Sequence, residues 1–264
     1  MQITAHTPTV LGVEIEMLST ALDSSIINAA ITQYWRVSVV ELTTSTQSDV
    51  VELAREGSIQ AGHVLADEYQ SAGRGRLARN FEAPKSTALL FSFYIEPQRS
   101  RDEWGWLPLL AGTSVAQVLS KYQAQVKWPN DILIKEKKVS GLIAEATDKG
   151  VVIGVGINVG MHTSELPVPT ATSLLIEGER ELTRNQLIAQ FLEKFKENYT
   201  HWDQGSDEIA HAYQVLSATI GREVRVEYPD GRVEIALAKA IGNSGELILD
   251  NGSHVQAGDI VHLR

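Results

Sequence analysis

The sequence contains no cysteine and no apolar run of transmembrane length. The lack of cysteine excludes disulfides, thiol nucleophiles and cysteine-ligated zinc, and it suits a reducing compartment. A membrane-spanning helix needs about eighteen or more consecutive apolar residues, so a transmembrane helix is not predicted. Residues 1–15 also lack the basic start and apolar core of a secretory signal. We therefore expect a cytoplasmic protein that does not bind membranes.

Several catalytic and cofactor signatures are also missing. The seven histidines are scattered, with no H-E-x-x-H or comparable metal-ligand spacing. There is no G-x-S-x-G element of a serine hydrolase, no G-x-G-x-x-G dinucleotide fingerprint and no phosphate-binding P-loop. The sequence therefore offers no nucleophile of its own and no tightly bound metal.

Acidic residues outnumber basic ones, 33 to 23, which gives a formal net charge of −10. Such a field repels polyanions, so we expect no broad binding to nucleic acid. An anionic ligand must then be held by cations gathered at one place.

The segment 71–85 contains such a cluster of cations, with four basic residues and a single acidic residue, Glu82. Arg74, Arg76 and Arg79 alternate there with glycines that let a backbone approach a ligand closely. Guanidinium groups suit bidentate capture of phosphate or carboxylate oxygens. A mobile basic surface loop is the alternative interpretation.

Three further clusters follow downstream. Residues 127–131, Lys-Trp-Pro-Asn-Asp, combine a cation, an indole, an amide and a carboxylate. Taken alone, this pattern favours a strand-ending turn whose lysine extends to solvent. Lys138, shortly before Gly141, is able to offset charge that develops in acyl or phosphoryl transfer, yet Lys135 and Lys137 nearby are typical of a solvated hairpin tip. Glycines 154 and 156 in a buried strand indicate that another group approaches the backbone, and the polar Asn158 follows them.

The apolar pattern predicts one large domain and one small one. Strands are predicted over 37–40, 63–68, 87–95, 126–128, 132–134, 142–144 and 151–159. Helices are predicted after Ser45 or Thr46, around 107–119, and after a capping box at 183–186. From about residue 217 short alternating strands with turns at 229–231 and 251–252 predict a barrel-like module. The predicted organisation is an N-terminal segment (1–36), partly ordered, then residues 37–216 and a small module at 217–264.

Taken together and in this order, the clusters resemble the catalytic core of the biotin protein ligases. The resemblance is carried by residues 45–47 (STQ), 70–76 (QSAGRGR), 127–131 (KWPND), 138–141 (KVSG) and 154–158 (GVGIN). It implies an α+β fold of the class II synthetase type, with a mixed β-sheet core, flanking helices and a small C-terminal SH3-like β-barrel. The implied reaction activates biotin with ATP as biotinyl-5′-AMP. The biotinyl group then passes to a lysine in the biotin carboxyl carrier domain of acetyl-CoA or another acyl-CoA carboxylase.

The resemblance also implies roles for individual residues. The biotin pocket is implied to contain Ser45, Thr46, Gln70, Gly73, Arg74, Arg76, Lys138 and Gly141. The ATP side is implied to contain Arg74, Arg76, Lys127, Trp128, Asn130 and Asn158. Lys138, Arg74 and Asp131 are the implied catalytic residues. Asp131 is assigned either to Mg²⁺ that comes with ATP or to activation of the incoming lysine, and the choice stays open.

The sequence departs from the family in the loop that follows. The family usually has glycine where Ala78 stands, tryptophan where Phe81 stands, and another glycine near Ser86. These departures bear on the geometry of the closed loop rather than on the class of reaction. About 40 residues precede the first core strand, without a helix pair or a basic recognition helix, so we expect the monofunctional class that binds no DNA.

Two other functions remain to be weighed. A lipoate–protein ligase shares the fold, but the usual motifs of that family do not include KWPND. A non-catalytic sensor of biotinyl-adenylate is expected to need a DNA-reading element, and the sequence shows none.

Overall fold

A computed structural model describes residues 17–76, 79–256 and 258–263 of the chain. Seven strands form the larger sheet, in the order β1-β2-β3-β7-β6-β5-β4. They are β1 (Arg36–Val40), β2 (His63–Asp67), β3 (Ala88–Ile95), β4 (Gln125–Lys127), β5 (Asp131–Ile134), β6 (Lys137–Ala146) and β7 (Val151–Asn158). Only β1 and β2 run parallel, and the other neighbours are antiparallel. The predicted mixed sheet is confirmed.

Alternation along β7 explains how the sheet carries both a core and a site. Ile153, Val155 and Ile157 belong to the main hydrophobic core. Because successive side chains of a strand point to opposite faces, the glycines between them, Gly154 and Gly156, belong to the other face. That face therefore has a flat stretch of backbone at its centre.

Helices cover both faces of this sheet. They are α1 (Ser24–Ala29), α2 (Thr46–Arg55), α3 (Trp106–Val118), α4 (Arg184–Asp203) and α5 (Glu208–Leu216). The apolar sides of α3 and α4 pack into the main core, whereas Val50 and Val51 of α2 pack on Leu65, Tyr94 and Val152 of the opposite face. No helix among the described residues is long and apolar enough to cross a lipid bilayer.

The boundaries of α2 and α4 follow their local chemistry. Ser45 is the N-cap residue of α2 by position, although its hydroxyl makes no capping hydrogen bond, and Gly57 adopts a φ of +71° just after the end of the helix. At the start of α4, Thr183 accepts a hydrogen bond from the Gln186 amide while the Gln186 side chain accepts one from the Thr183 amide. This confirms the predicted capping box. The short helices α1 and α5 were not predicted.

A second sheet of five antiparallel strands forms the C-terminal module, in the order β11-β10-β9-β8-β12. Its strands are β8 (Glu223–Glu227), β9 (Val233–Ile241), β10 (Leu247–Leu249), β11 (His254–Val255) and β12 (Asp259–His262). Gly231 and Gly252 have φ values of +85° and +89°, as the two predicted turns require. This arrangement agrees with the expected SH3-like module.

Two buried indoles join the modules. The Trp106 indole donates to the Gly242 carbonyl at 2.9 Å, and the Trp128 indole donates to the Gly245 carbonyl at 3.1 Å. The Ala218 amide also donates to the Val126 carbonyl at 2.8 Å. Strand β4, through Val126, and the residue after the strand, Trp128, are therefore tied to the C-terminal module.

Candidate active site

A cavity of about 390 Å³ lies on the glycine face of the large sheet, beside the edge of the C-terminal sheet. Its size is that of a small-molecule site. It brings together residues that are far apart in sequence. Of the predicted site residues, the lining includes Ser45, Thr46, Gln70, Arg74, Arg76, Lys127, Trp128, Asn130, Asp131, Lys138 and Gly141.

Lys138 and Asp131 form an ion pair inside this cavity. The Lys138 Nζ lies 2.6 Å from Asp131 Oδ1, and both side chains are partly exposed to the cavity. A Cβ atom on Gly141 would meet Lys138 Nζ at 3.1 Å, so the missing side chain leaves room for the ammonium group. Lys135, in contrast, pairs with Glu177 outside the cavity at 2.8 Å. Lys138 is therefore the lysine that points into the cavity, and Lys135 lies on the surface outside it.

A β-bulge explains why Lys138 and Gly141 face the same side. Residues three apart on a regular strand point to opposite faces. Ile132 pairs with Ser140 and Leu133 pairs with Lys138, so Val139 is an extra residue on β6. The extra residue restores Lys138 to the face of Gly141. Sequence reasoning placed these residues between two strands, whereas they lie within β6.

The described residues of the arginine-rich loop line the cavity, and each guanidinium has a separate partner. Arg74 pairs with Glu145 of β6 at 2.8 Å. Arg76 donates to Asn130 Oδ1 at 3.2 Å and to the Gly258 carbonyl at 3.4 Å. Burial lowers the pKa of Arg76, and the carboxylates of Asp259 and Asp131 partly oppose that shift. The loop therefore contacts both modules.

The inner end of the cavity is lined by buried polar side chains from α2 and β3. Thr46 Oγ1 lies 2.9 Å from Ser92 Oγ. The hydroxyl of Ser45 and the Oε1 atom of Gln47 have no hydrogen-bond partner among the described residues. Buried polar atoms are usually satisfied, so these atoms are available to a polar ligand.

The KWPND residues occupy different positions around the cavity. The Asn130 side-chain NH₂ donates to the Leu142 carbonyl at 2.8 Å, which turns its oxygen toward Arg76. Burial lowers the pKa of Lys127, with the opposing charge of Asp131 nearby. Trp128 is 2% exposed, and its indole N–H is directed to Gly245 of the other module.

Two predicted site residues lie outside the lining. Gly73 is buried under the loop, where a Cβ atom would stand 2.4 Å from the Phe81 carbonyl. Asn158 is buried at the end of β7 and donates to the Thr172 carbonyl at 2.9 Å. The described contacts of both residues are with the protein.

The three residues that depart from the family pattern, Ala78, Phe81 and Ser86, lie in different surroundings. Ala78 lies outside the described residues. The Phe81 ring stands over Gly156, where a Cβ atom would be 2.7 Å from the ring. Ser86 has a φ of +64°, a conformation that favours glycine, and its hydroxyl donates to Glu68 Oε2 at 2.7 Å.

Sequence reasoning missed the contribution of the C-terminal module to the cavity. Glu227, Asp259, Ile260 and Val261 line one side of it, and Asp259 pairs with Arg79 of the loop. Ser92 and Glu145 were also missed. A single acidic residue in an alternating strand gives no signal of its own, because only the packing of the two sheets brings it to the cavity.

The donor set offers little to a metal ion by itself. The described part of the chain holds no group of three or more histidine, aspartate or glutamate side chains able to bind one. Asp131 is a carboxylate in the cavity, and Lys138 is its observed partner. An ion would therefore need most of its ligands from a bound substrate.

Comparisons with known proteins find sequences that are similar to this chain. Residues 39–161 match the model of the "Biotin/lipoate A/B protein ligase family". The chain is 37% identical over 244 residues to a protein of Mycobacterium tuberculosis named biotin--[acetyl-CoA-carboxylase] ligase, covering 87% of this chain and 90% of that protein. It is 30% identical to the bifunctional ligase/repressor BirA of Salmonella typhimurium, covering 81% of this chain and 69% of that protein.

A solved structure is also similar. The biotin protein ligase from Aquifex aeolicus, in complex with biotin and ATP, superimposes with a TM-score of 0.73 at 26% identity. The match covers 86% of this chain and 98% of that chain.

Proposed function

Because the chain belongs to the biotin protein ligase family and is a ligase, we propose that it uses ATP to attach biotin to a lysine of a biotin carboxyl carrier domain. The observation that carries this proposal is the cavity in which Lys138, Asp131, Arg74 and Arg76 converge on an otherwise acidic chain. Two anionic reactants need local cations to meet, and the cavity supplies them.

The proposed first step joins biotin to ATP. A biotin carboxylate oxygen attacks the α-phosphorus, and pyrophosphate leaves as biotinyl-5′-AMP forms. Charge grows on the phosphate oxygens, so a preorganised ammonium or guanidinium lowers the barrier most. We assign this role to Lys138, with Arg74 and Arg76 on the carboxylate and phosphate oxygens.

The proposed second step transfers the biotinyl group. The amine of the carrier lysine attacks the carbonyl carbon of the mixed anhydride, AMP leaves, and the amine loses a proton. Asp131 lines the cavity next to Lys138 and is the carboxylate we assign to that proton. We propose that Mg²⁺ arrives with ATP and takes most of its ligands from the phosphates.

We divide the remaining residues between the two substrates. Ser45, Thr46, Gln70 and Gly141 are assigned to biotin, since the buried polar atoms at the inner end suit a ureido ring. Lys127, Trp128 and Asn130 are assigned to the nucleotide. For Gly73 and Asn158, whose contacts are with the protein, we propose indirect roles in shaping the loop and the end of β7.

We further propose that residues 37–216 act as the catalytic domain and 217–264 as a separate module, preceded by the segment 1–36. The acceptor is proposed to be the carrier domain of acetyl-CoA or another acyl-CoA carboxylase, and the lack of cysteine suits a cytoplasmic reaction. We propose that the acceptor docks by pairing with an exposed strand edge of the large sheet.

Incubating the chain with ATP, a carrier domain, and equal biotin and lipoate tests the proposal. We expect the mass of the carrier to rise by one biotinyl group, and only when ATP is present. A rise by lipoate instead would identify a lipoate–protein ligase. An unchanged carrier mass with tight biotin binding would identify a non-catalytic sensor.

A further inference from the structure

Asp67 is a buried carboxylate whose hydrogen-bond partner, Gln70, lines the cavity. It is the last residue of β2 and is 0% exposed. Val64 and Ala66 face the main core, so by alternation Leu65 and Asp67 face the cavity side of the sheet. A fully buried carboxylate needs a specific reason to be kept, because its desolvation is unfavourable.

The Asp67 side chain accepts a hydrogen bond from Gln70, a residue that lines the cavity. Gln70 Nε2 donates to Asp67 Oδ1 at 3.1 Å. The second oxygen, Oδ2, has no partner among the described residues. The backbone of Gln70 is fixed separately, since residues 70 and 43 form a parallel bridge. Asp67 therefore controls the end of the Gln70 side chain and not its backbone.

The chemistry of the two groups determines which end of the amide faces the cavity. An ionised carboxylate only accepts hydrogen bonds, so the NH₂ group of Gln70 must turn toward Asp67. The carbonyl oxygen Oε1 is then the end of the amide that points away from Asp67, and Gln70 is one of the residues that line the cavity. Gly73 lies beside this oxygen, and its missing side chain leaves Oε1 uncovered, since an added Cβ atom would contact it at 3.5 Å.

We propose that Asp67 is a positioning residue for biotin, which holds Gln70 so that its Oε1 oxygen accepts a hydrogen bond from a ureido N–H. This inference rests on the proposed function, since it takes biotin as the ligand of the cavity. When Asp67 is protonated it is able to donate to Oε1 instead, and the amide turns its NH₂ group to the cavity. Two N–H donors then meet, and the hydrogen bond to the ureido ring is lost.

The groups around Asp67 raise its pKa, so that its protonation falls in a pH range in which biotin binding can be measured. Burial raises the pKa of Asp67 to about 7, helped by the charges of Glu68 and Asp49 and opposed by Gln70 and Arg184. Glu68 is itself held by Arg184 at 2.6 Å, and its pKa is lowered by hydrogen bonds that outweigh its burial. Asp49 accepts a hydrogen bond from the Thr43 hydroxyl.

Calorimetric binding of biotin without ATP, between pH 5.5 and 8.5, tests the inference. A carboxylic acid such as biotin is ionised throughout that range, as its ordinary pKa of about 4 to 5 implies. We expect wild-type affinity to fall about tenfold as the pH decreases, the equivalent of one lost hydrogen bond. Asp67→Asn should bind with an affinity that does not vary over this range.

Two further variants separate positioning from a general structural effect. Asp49→Asn removes a neighbouring carboxylate that contacts Thr43, so it should keep the tenfold change and shift its midpoint to lower pH. In a Gln70→Ala background, Asp67→Asn should have no further effect on biotin affinity. If the losses of biotin affinity from the two substitutions add in the double variant, the inference about Asp67 is wrong. It is also wrong if Asp67→Asn keeps the pH profile of wild type. Either result would leave the proposed function standing. A wild-type chain that binds no biotin at any pH would overturn the proposed function as well.

Discussion

Lys138 and Asp131 lie on adjacent antiparallel strands, and the ammonium nitrogen of the first stands 2.6 Å from a carboxylate oxygen of the second. The pair faces the cavity because β6 has an extra residue at Val139. The proposed catalytic cation is therefore held in place by strand pairing before any substrate arrives. Such preorganisation is where electrostatic catalysis gains most.

Replacing that cation should stop adenylation. Lys138→Ala is expected to slow biotin-dependent pyrophosphate release by about two to three orders of magnitude, as for other removed transition-state donors. Lys135→Ala is the matched control, since Lys135 pairs with Glu177 outside the cavity and should leave the rate unchanged. Near-wild-type adenylation by Lys138→Ala would remove this lysine from the mechanism.

Many residues of the candidate site could be predicted from the sequence. The others could not, for physical reasons that the structure shows. The motifs around Arg74, Asp131 and Lys138 could be found because glycines, prolines and clustered charges are uncommon side by side. The bulge at Val139 could not, because the sequence pattern places residues 138–141 in a connection between two strands and the register of β5 with β6 is set by tertiary pairing. Asp259 lines the cavity and Glu145 pairs with Arg74 only through tertiary packing, which no local pattern encodes.

The fold, too, was predictable in some parts and not in others. The strands and the two long helices follow from apolar periodicity, and the capping box at Thr183 fixes the start of α4. The helix α5 was missed, since only Ile209 and Tyr213 of its nine residues are buried. Trp128 was expected on the nucleotide side from resemblance alone, yet its indole N–H bonds across to the C-terminal module.

Adding a methyl group beside the ammonium should weaken catalysis without unfolding the chain. In Gly141→Ala the new Cβ atom would meet Lys138 Cε and Nζ at 3.1 Å. The flexible lysine can move away, so stability should change by less than about 1 kcal/mol while adenylation slows about tenfold. Stopped-flow pyrophosphate release and a thermal melt measure the two quantities. Loss of stability with normal adenylation would contradict this account.

The contact between modules can be tested through Trp128. Trp128→Phe leaves the Gly245 carbonyl without its indole donor, and an unmade buried hydrogen bond costs about 1–3 kcal/mol. We expect the melting temperature to fall by about 2–8 °C in calorimetry. Trp104→Phe serves as the control, because its indole donates to the Arg99 carbonyl within the large domain and should leave substrate affinity unchanged. Equal ATP affinity in Trp128→Phe and wild type would exclude a role for this contact in the site.

Protonation of His262 should couple pH to stability. Burial lowers its pKa to about 4, with the charges of Lys127 and Arg222 adding to the shift. The unfolded chain takes up a proton near the ordinary value of about 6.5, whereas the folded chain resists it. The stability this histidine contributes is thus complete above about pH 6.5 and is lost as the pH falls toward 4.

Urea unfolding at several pH values checks this coupling. Wild type should lose more stability than His262→Gln between pH 6.5 and 4, the window set by the lowered pKa. His211→Gln, at an exposed position on α5, should follow the wild-type curve. Identical curves for wild type and His262→Gln would show that His262 does not titrate in this way.

Following the adenylate itself shows whether the reaction passes through free biotinyl-5′-AMP. Wild type is incubated with biotin and ATP labelled at the α-phosphate, without a carrier domain, and the chain is then denatured and separated from small molecules. We expect a burst of about one pyrophosphate per chain, since each cavity holds one adenylate, with the label recovered as free biotinyl-5′-AMP. Label that stays covalently attached to the chain, or pyrophosphate release that does not depend on biotin, would contradict it.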